Sequence, residues 1–367
     1  MTHRERFHRI YNFEPVDRIP LYYFGTWVET KKRWIEEGFK GPFARGIEAQ
    51  PQPLGMDPAW EGDVWWAERL VNIGPIGDEE PAVLEETDDY KTVRDSLGGV
   101  KRISKRGTSI SHTIRYPLEP TRESWNRFRR FLDTSLQGRY PANMESHAAE
   151  LNAIDNVTCF VGGALYNYVR DYMGVEELSY LMYDDPILLE DIVAELADHF
   201  MTLMKPVLKV AKFDFVYFFE DCCGANGPLF SPAIYKEIYD KYYRQMITFY
   251  KDNGVPLALI DSDGMVDQLV PCWLGSGFDI LFPIERGKWG TSPASLRKQF
   301  GDRVGMLGGV DKFVLGRGPE AIRAHLMELK KETDKGGYIP IPDHRIPPEI
   351  SLSQMMTYIE IFHEVFG

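Results

Sequence analysis

The sequence predicts an α/β protein, a (β/α)8 TIM barrel carrying a β-hairpin inserted near residues 83–117. Three observations lead there. Short, continuously apolar runs recur along the chain, each ending at a polar or glycine loop that opens a helical pattern. Continuous apolarity marks a strand buried on both faces, the condition of a parallel sheet covered by helices. Seven or eight such units favour a closed barrel over an open doubly wound sheet, and no glycine-rich dinucleotide fingerprint follows the first of them. The 367 residues are read as one domain, 1–367.

The strands are expected in this order. Residues 19–24 form the first run, and 54–63 are the weakest candidate, needed as the eighth strand. Residues 157–161 lead to Gly162-Gly163, 215–219 to Glu220-Asp221, and 257–260 to Asp261-Ser262-Asp263. Residues 280–284 lead to Glu285-Arg286, 304–307 to Gly308-Gly309-Val310-Asp311, and 338–341 to Asp343-His344. Between them lie helical patterns. One spans 186–209 after the cap signal Asp184-Asp185, and one runs from Ser231-Pro232 to about residue 251. Others start at Pro319 and cover 351–365. Between 83 and 117 polar and apolar residues alternate around glycines, the pattern of an antiparallel hairpin.

A formal net charge of -13 argues against nucleic acid or an anionic membrane as partner. It also disfavours a polyanionic substrate unless arginines cluster locally. No apolar run approaches the roughly 20 residues that span a bilayer. The opening MTHRERFHRIYNFEP lacks a signal-peptide apolar core, so a cytoplasmic location is expected. Cys159 and Cys272 are isolated and Cys222 and Cys223 adjacent, a pattern of reduced thiols rather than a secreted disulfide framework.

A barrel gathers the residues that follow its strands at one mouth. That rule brings together Glu220, Asp221, Cys222, Asp261, Asp263, Glu285, Asp311, Asp343 and His344. Any one of these acids taken alone reads equally well as a helix cap or a structural ion pair. As a set they would repel one another, and a divalent metal or a substrate cation would relieve that repulsion. Asp261-x-Asp263 with His344 offers oxygen and nitrogen ligands suited to zinc or a similar ion. Cys222 could add a thiolate, although such cysteines are more often inert small hydrophobes. Tyr22, Tyr23, Phe24, Trp27, Trp60, Trp65 and Trp66 crowd the first fifth of the chain, and core packing accounts for most of them. Phe24-Gly25-Thr26-Trp27 sits at a strand end, where aromatics could line a flat substrate pocket. The basic run Lys101-Arg102 to Lys105-Arg106 reads as a solvated hairpin.

Several segments together resemble the uroporphyrinogen decarboxylase-like superfamily. They are Arg4-Glu5-Arg6 through Glu14-Pro15-Val16-Asp17-Arg18-Ile19-Pro20, then Glu85-Glu86-Thr87-Asp88-Asp89-Tyr90 and Gly227-Pro228-Leu229-Phe230-Ser231-Pro232. Further on come Asp263-Gly264, Gly308-Gly309-Val310-Asp311, and the ending Gly336-Gly337-Tyr338-Ile339 to Asp343-His344 and Ile346-Pro347-Pro348. The resemblance implies a barrel with one of two activities. One is cofactor-free decarboxylation of the acetate arms of uroporphyrinogen III. The other is methyl transfer to or from a corrinoid protein, usually assisted by zinc.

The decarboxylases carry an arginine-rich loop after the first strand, where this chain reads Tyr22-Tyr23-Phe24-Gly25-Thr26-Trp27 without a cation. The methyltransferases carry His-x-Cys where this chain has Asp261-x-Asp263, and a cysteine in the loop now reading Asp343-His344. His344 itself resembles the late histidine of the decarboxylases. The resemblance is placed nearer the corrinoid-dependent methyltransferase branch than true uroporphyrinogen decarboxylase. On that reading Asp261, Asp263, His344 and Cys222 hold zinc or another divalent metal, with Glu220, Asp263 and His344 catalytic. Tyr22, Phe24, Trp27 and Glu285 bind the substrate. The partners are a small-molecule methyl donor, conceivably an aromatic methyl ether, and a corrinoid carried by a partner protein, and a homodimer is compatible with all of this. The alternatives are uroporphyrinogen decarboxylase or a related cofactor-free decarboxylase, and a non-catalytic ligand-binding barrel. The last requires every mouth acid to be paired, Arg286 and Arg345 being candidates, and no open cavity.

Overall fold

The computed structural model describes residues 1–41, 54–58, 70–105, 111–288 and 290–367. Its centre is a parallel sheet of six strands: β5 (Cys159–Val161), β6 (Phe215–Phe219), β9 (Leu257–Asp261), β10 (Ile280–Ile284), β11 (Gly305–Val310) and β12 (Tyr338–Pro342). Their spatial order is β12-β11-β10-β9-β6-β5, so sequential strands are neighbours. The gap in numbering is a two-stranded hairpin, β7 (Cys223–Gly224) with β8 (Gly227–Pro228), in the loop after β6.

Side chains alternate across each strand, and here both faces are apolar, as the unbroken hydrophobic runs required. Phe160, Val216, Phe218, Ala258, Ile260, Leu281 and Met306 pack outward against the helices. Their neighbours Cys159, Phe215, Tyr217, Leu259, Ile280, Phe282, Leu307, Ile339 and Ile341 form a second, separate cluster inside. Inner residues from both edge strands share that cluster, so the sheet is curled into a partial barrel. Phe24 joins it, its ring stacked 5.1 Å from Phe282.

One end of this inner cluster is closed by the first helix, His3–Tyr11, whose Phe7, Ile10 and Tyr11 enter it. Thr2 caps the helix by accepting from the Glu5 N–H at 3.1 Å. The helix is tied to the residues that begin the strands. The Tyr11 hydroxyl donates to the Met306 carbonyl at 3.2 Å, and the Gly337 N–H donates to the Ile10 carbonyl at 2.7 Å. Arg4 and His8 both reach the buried Asp214, at 3.0 and 2.7 Å. With the strand starts plugged in this way, only the other end of the curled sheet is free to hold a cavity.

The helices follow the sequence pattern. Pro186–Val207 begins at Asp185, whose side chain accepts from the Leu188 N–H at 2.9 Å. The stretch after Ser231 is one helical path, Pro232–Ile234, a π-helical turn at Tyr235–Tyr239, then Asp240–Asp252. Across the wide turn the rings of Tyr235 and Tyr243 stack at 5.8 Å. Pro319–Thr333 and Leu352–Phe366 complete the outer layer. Among the described residues no helix is long and apolar enough to cross a membrane.

Three expectations need correction. The segment near 83–117 is a four-stranded antiparallel sheet rather than a hairpin, formed by β1 (Ala82–Glu86), β2 (Tyr90–Arg94), β3 (Val100–Ser104) and β4 (His112–Arg115). Asp88-Asp89 and Gly98-Gly99 each supply a turn, and the reading took only one reversal from them. Residues 19–24 run alongside the sheet without a strand ladder. Pro20 lacks an N–H, and the one bridge formed there joins Thr26 to Ile346 in parallel. In the proposed eighth strand, residues 54–58 are not a strand and 59–63 lie outside the described residues.

Candidate functional site

At the end opposite the first helix lies a cavity of about 620 Å³. Its walls are apolar and largely aromatic, including Phe24, Trp27, Tyr168, Tyr172, Phe200 and Phe219. Its polar groups are Tyr217, Asp261, Asp263, Asn167, Asp171, His344 and Arg345. Gly163 forms part of the lining at φ 103°, and Phe200 packs so closely on it that an added Cβ would lie 2.2 Å from the ring. The glycine pair after β5 thus lets an aromatic wall approach the backbone.

Tyr217 and Asp261 define the inner limit of the cavity. Tyr217 points inward from β6, and Asp261 is the last residue of β9, in register with Phe219 on one side and Phe282 on the other. The Tyr217 hydroxyl donates a short hydrogen bond to Asp261 Oδ2. Burial raises the pKa of Asp261 well above its ordinary value. The charge of Asp263 adds to the rise and outweighs the phenol's opposing donation. Burial and the neighbouring Asp261 raise the phenol of Tyr217 as well. Both shifts favour the protonated form of each group.

Nearer solvent, Asp263 Oδ2 lies 3.4 Å from His344 Nε2. The imidazole rests against Phe24 and Trp27, ring centroids 5.2 and 5.6 Å away. Backbone bonds hold this loop in place. The Ile346 N–H donates to the Gly25 carbonyl at 2.9 Å, and the Thr30 hydroxyl donates to the Ile346 carbonyl at 2.7 Å. Arg345 lies over the Trp27 indole at 5.2 Å, so the one guanidinium among the described lining residues stands at the rim.

The cavity thus gathers Asp261, Asp263, His344, Phe24 and Trp27 from the sequence candidates, and the others lie elsewhere. Tyr22 is in the inner apolar cluster, buried below the cavity. Glu220 faces the helix Tyr166–Met173 and accepts from the N–H groups of Leu165, Tyr166 and Asn167 at 2.8, 3.0 and 3.1 Å. It also takes a short bond from the Tyr243 hydroxyl. Burial pushes its pKa up to about 7 despite these donors. Cys222 belongs to the helix-facing core, its sulfur 3.8 Å from the Ser262 hydroxyl, and burial raises its thiol pKa. Glu285 accepts from the Gly264 N–H at 3.0 Å and shares Lys312 with the fully buried Asp343. Asp221 pairs with Arg170 at 3.0 Å, and Asp311 accepts from the Phe313 N–H. Trp60, Trp65 and Trp66 lie outside the described residues.

Sequence reasoning missed Tyr217, Asp171 and the wall of Tyr168 and Tyr172. The signal for Tyr217 was available, because it shares inward parity with Phe215 and Phe219 on a strand that ends at the mouth. Asp171 and the two tyrosines project from the helix that follows the Gly162-Gly163 loop, and no strand-end rule reaches them.

The metal expectation is overturned. Among the described residues no group of three or more His, Cys, Asp or Glu is placed to hold an ion. Asp261 is engaged with Tyr217 and favours its neutral form, and Cys222 is turned into the core, which leaves Asp263 and His344 as a pair. A barrel with every mouth acid paired and no cavity is not observed either. Lys312 and Arg170 pair Asp343, Glu285 and Asp221, whereas Asp261 has no cationic partner among the described residues and lines the cavity.

Residues 148–365 match the family model described as Uroporphyrinogen decarboxylase (URO-D). The chain belongs to this family. Among its relatives, the uroporphyrinogen decarboxylase of Methylococcus capsulatus is 26% identical over 185 residues, covering 50% of this chain and 51% of the relative. That of Nocardia farcinica is 24% identical over 196 residues, covering 52% of each. The chain spans about half the length of the curated relatives it matches. A methyltransferase from Methanosarcina mazei superposes with a TM-score of 0.59 over 99% of both chains, at 14% identity, a likeness of fold alone. The family match and the decarboxylase relatives overturn the placement near the methyltransferase branch. The corrinoid-dependent methyltransferase activity falls with it.

Proposed function

We propose that this chain is a cofactor-free decarboxylase of the uroporphyrinogen decarboxylase type, acting on an acetate arm attached to an electron-rich ring. The observation that carries the reading is the buried, hydrogen-bonded pair Asp261–Tyr217, whose burial favours the neutral acid, facing a cavity with aromatic walls. Loss of CO2 leaves an electron pair on the former α-carbon, and without a cofactor the substrate ring has to receive it. Asp261 donates its proton to a ring carbon, making the ring cationic. The bond from the α-carbon to the carboxylate breaks, CO2 departs, and the electron pair forms an exocyclic double bond that neutralises the ring. Protonation of the exocyclic carbon and return of the ring proton to Asp261 complete the cycle, with one proton consumed overall. Tyr217 donates to the Asp261 carboxylate while it is ionised. His344, paired with Asp263 towards solvent, replaces the consumed proton. Apolar walls favour the step because charge on the carboxylate is dispersed as neutral CO2 forms.

The test is CO2 release from uroporphyrinogen and from simpler pyrrole acetates, with coproporphyrinogen as the product sought from the former. Turnover lost in Asp261→Asn with the fold intact supports the reading. No CO2 from any of these acids, or full activity in Asp261→Asn, sinks it. We further infer that the whole chain is one domain and that its partial barrel closes as (β/α)8. An experimental structure in which the edges at β5 and β12 stay open would count against closure.

A further inference from the structure

We propose that the cavity selects a flat, otherwise uncharged ring bearing a single carboxylate, and discriminates against polycarboxylates. This rests on the decarboxylase reading and narrows its substrate class. Among the described residues the lining holds three carboxyl groups, Asp171, Asp261 and Asp263, against one guanidinium, Arg345, and one imidazole, His344. Two cations near the cavity are held by acids outside its lining. Arg170 is bound to Asp221 at 3.0 Å, and Lys312 lies 3.5 and 3.3 Å from Glu285 and Asp343. Carboxylates taken out of water need charge-assisted donors, and each one beyond the first would find no second guanidinium among the described lining residues. Arg345 meets the requirement once, and its position 5.2 Å over the Trp27 indole places that single charge beside an aromatic face. The ring of a substrate would lie along Phe24, Trp27 and Phe200 with its carboxylate towards Arg345. A volume of about 620 Å³ falls inside the range typical of small-molecule sites.

The experiment is calorimetric titration of the full chain with indole-3-acetate, a monocarboxylate, and uroporphyrin, an octacarboxylate. CO2 release is followed in parallel from pyrrole-3-acetate and from uroporphyrinogen. The expected result is binding of indole-3-acetate at least about tenfold tighter than uroporphyrin, weakened about tenfold in Arg345→Gln. Arg345→Lys, which keeps the charge, retains most of the binding, and Asp263→Asn tightens uroporphyrin. Arg345 is exposed, so these variants test recognition rather than folding, and circular dichroism verifies that. Tighter binding of uroporphyrin, no binding of indole-3-acetate, or an unchanged affinity in Arg345→Gln overturns the proposal. CO2 from uroporphyrinogen but none from pyrrole-3-acetate overturns it and leaves the decarboxylase reading standing. Arg345-dependent binding of indole-3-acetate without CO2 from either acid supports the selectivity and refutes decarboxylation instead.

Discussion

Replacing Glu220 by glutamine separates a structural carboxylate from a catalytic one, and its effect has a sign that pH reveals. Glu220 is completely buried and accepts from three backbone N–H groups and the Tyr243 hydroxyl. Burial lifts its pKa from the ordinary 4.5 to about 7. The folded protein therefore holds this proton more tightly than the unfolded chain does. Stability supplied by the site is fully present below about pH 4.5 and declines as pH rises to about 7. At about 1.4 kcal/mol for each tenfold in proton affinity, that decline is about 3 kcal/mol. Glutamine does not titrate, and its NH2 group faces a backbone donor, which costs about 1–3 kcal/mol for each bond lost. The deficit of Glu220→Gln relative to the parent, read from urea unfolding between pH 5 and 8, is thus expected to be largest at pH 5 and to shrink as pH rises. Turnover at pH 8 is expected to stay within about tenfold of the parent, because the side chain faces the helix start and not the cavity. A deficit that grows with pH, or loss of turnover without loss of stability, would refute this assignment.

In the proposed mechanism Asp261 acts in its protonated form, so kcat is expected to be level at low pH and to fall as pH rises through its raised pKa. Tyr217→Phe removes a donor to the ionised form, so its pH–rate profile should show that descending limb moved to higher pH. Asp214→Ala strands Arg4, His8 and the Thr158 N–H where the first helix closes the inner cluster, and unfolding titrations should read a loss of about 3–5 kcal/mol. Gly163→Ala combines a left-handed backbone with a 2.2 Å contact to Phe200, and a loss of at least about 2 kcal/mol is expected in urea unfolding.

Much of the fold was legible because burial on both faces writes itself into sequence as an unbroken apolar run. Residues 215–219 and 280–284 coincide with β6 and β10, and the other four runs overlap their strands. The failures have local causes. Residues 19–24 are as apolar as a strand, but pairing depends on what lies beside them, and Pro20 removes one donor. The alternation in 83–117 was correctly read as antiparallel, yet the number of strands depended on which turns close. At the site, the strand-end rule identified a set of acids but could not say which way each one faces. Glu220 and Asp261 both end inner strands, and one caps a helix while the other borders the cavity.

The pair of aspartates after β9 shows where the division falls. From sequence alone, an apolar run ending in Asp261-Ser262-Asp263 placed two carboxyl groups at the mouth of an α/β protein, and His344 on another strand end near them. What they do there depended on groups far away in the chain. Tyr217, 44 residues before Asp261, donates to it, and burial raises its pKa. Cys222, expected as a ligand, is turned into the helix-facing core. Sequence spacing reports which side chains leave a strand at the same height. Only tertiary packing sets their desolvation and partners, and here those two quantities leave Asp261 bonded to a phenol and favouring its neutral form instead of joining a ligand set.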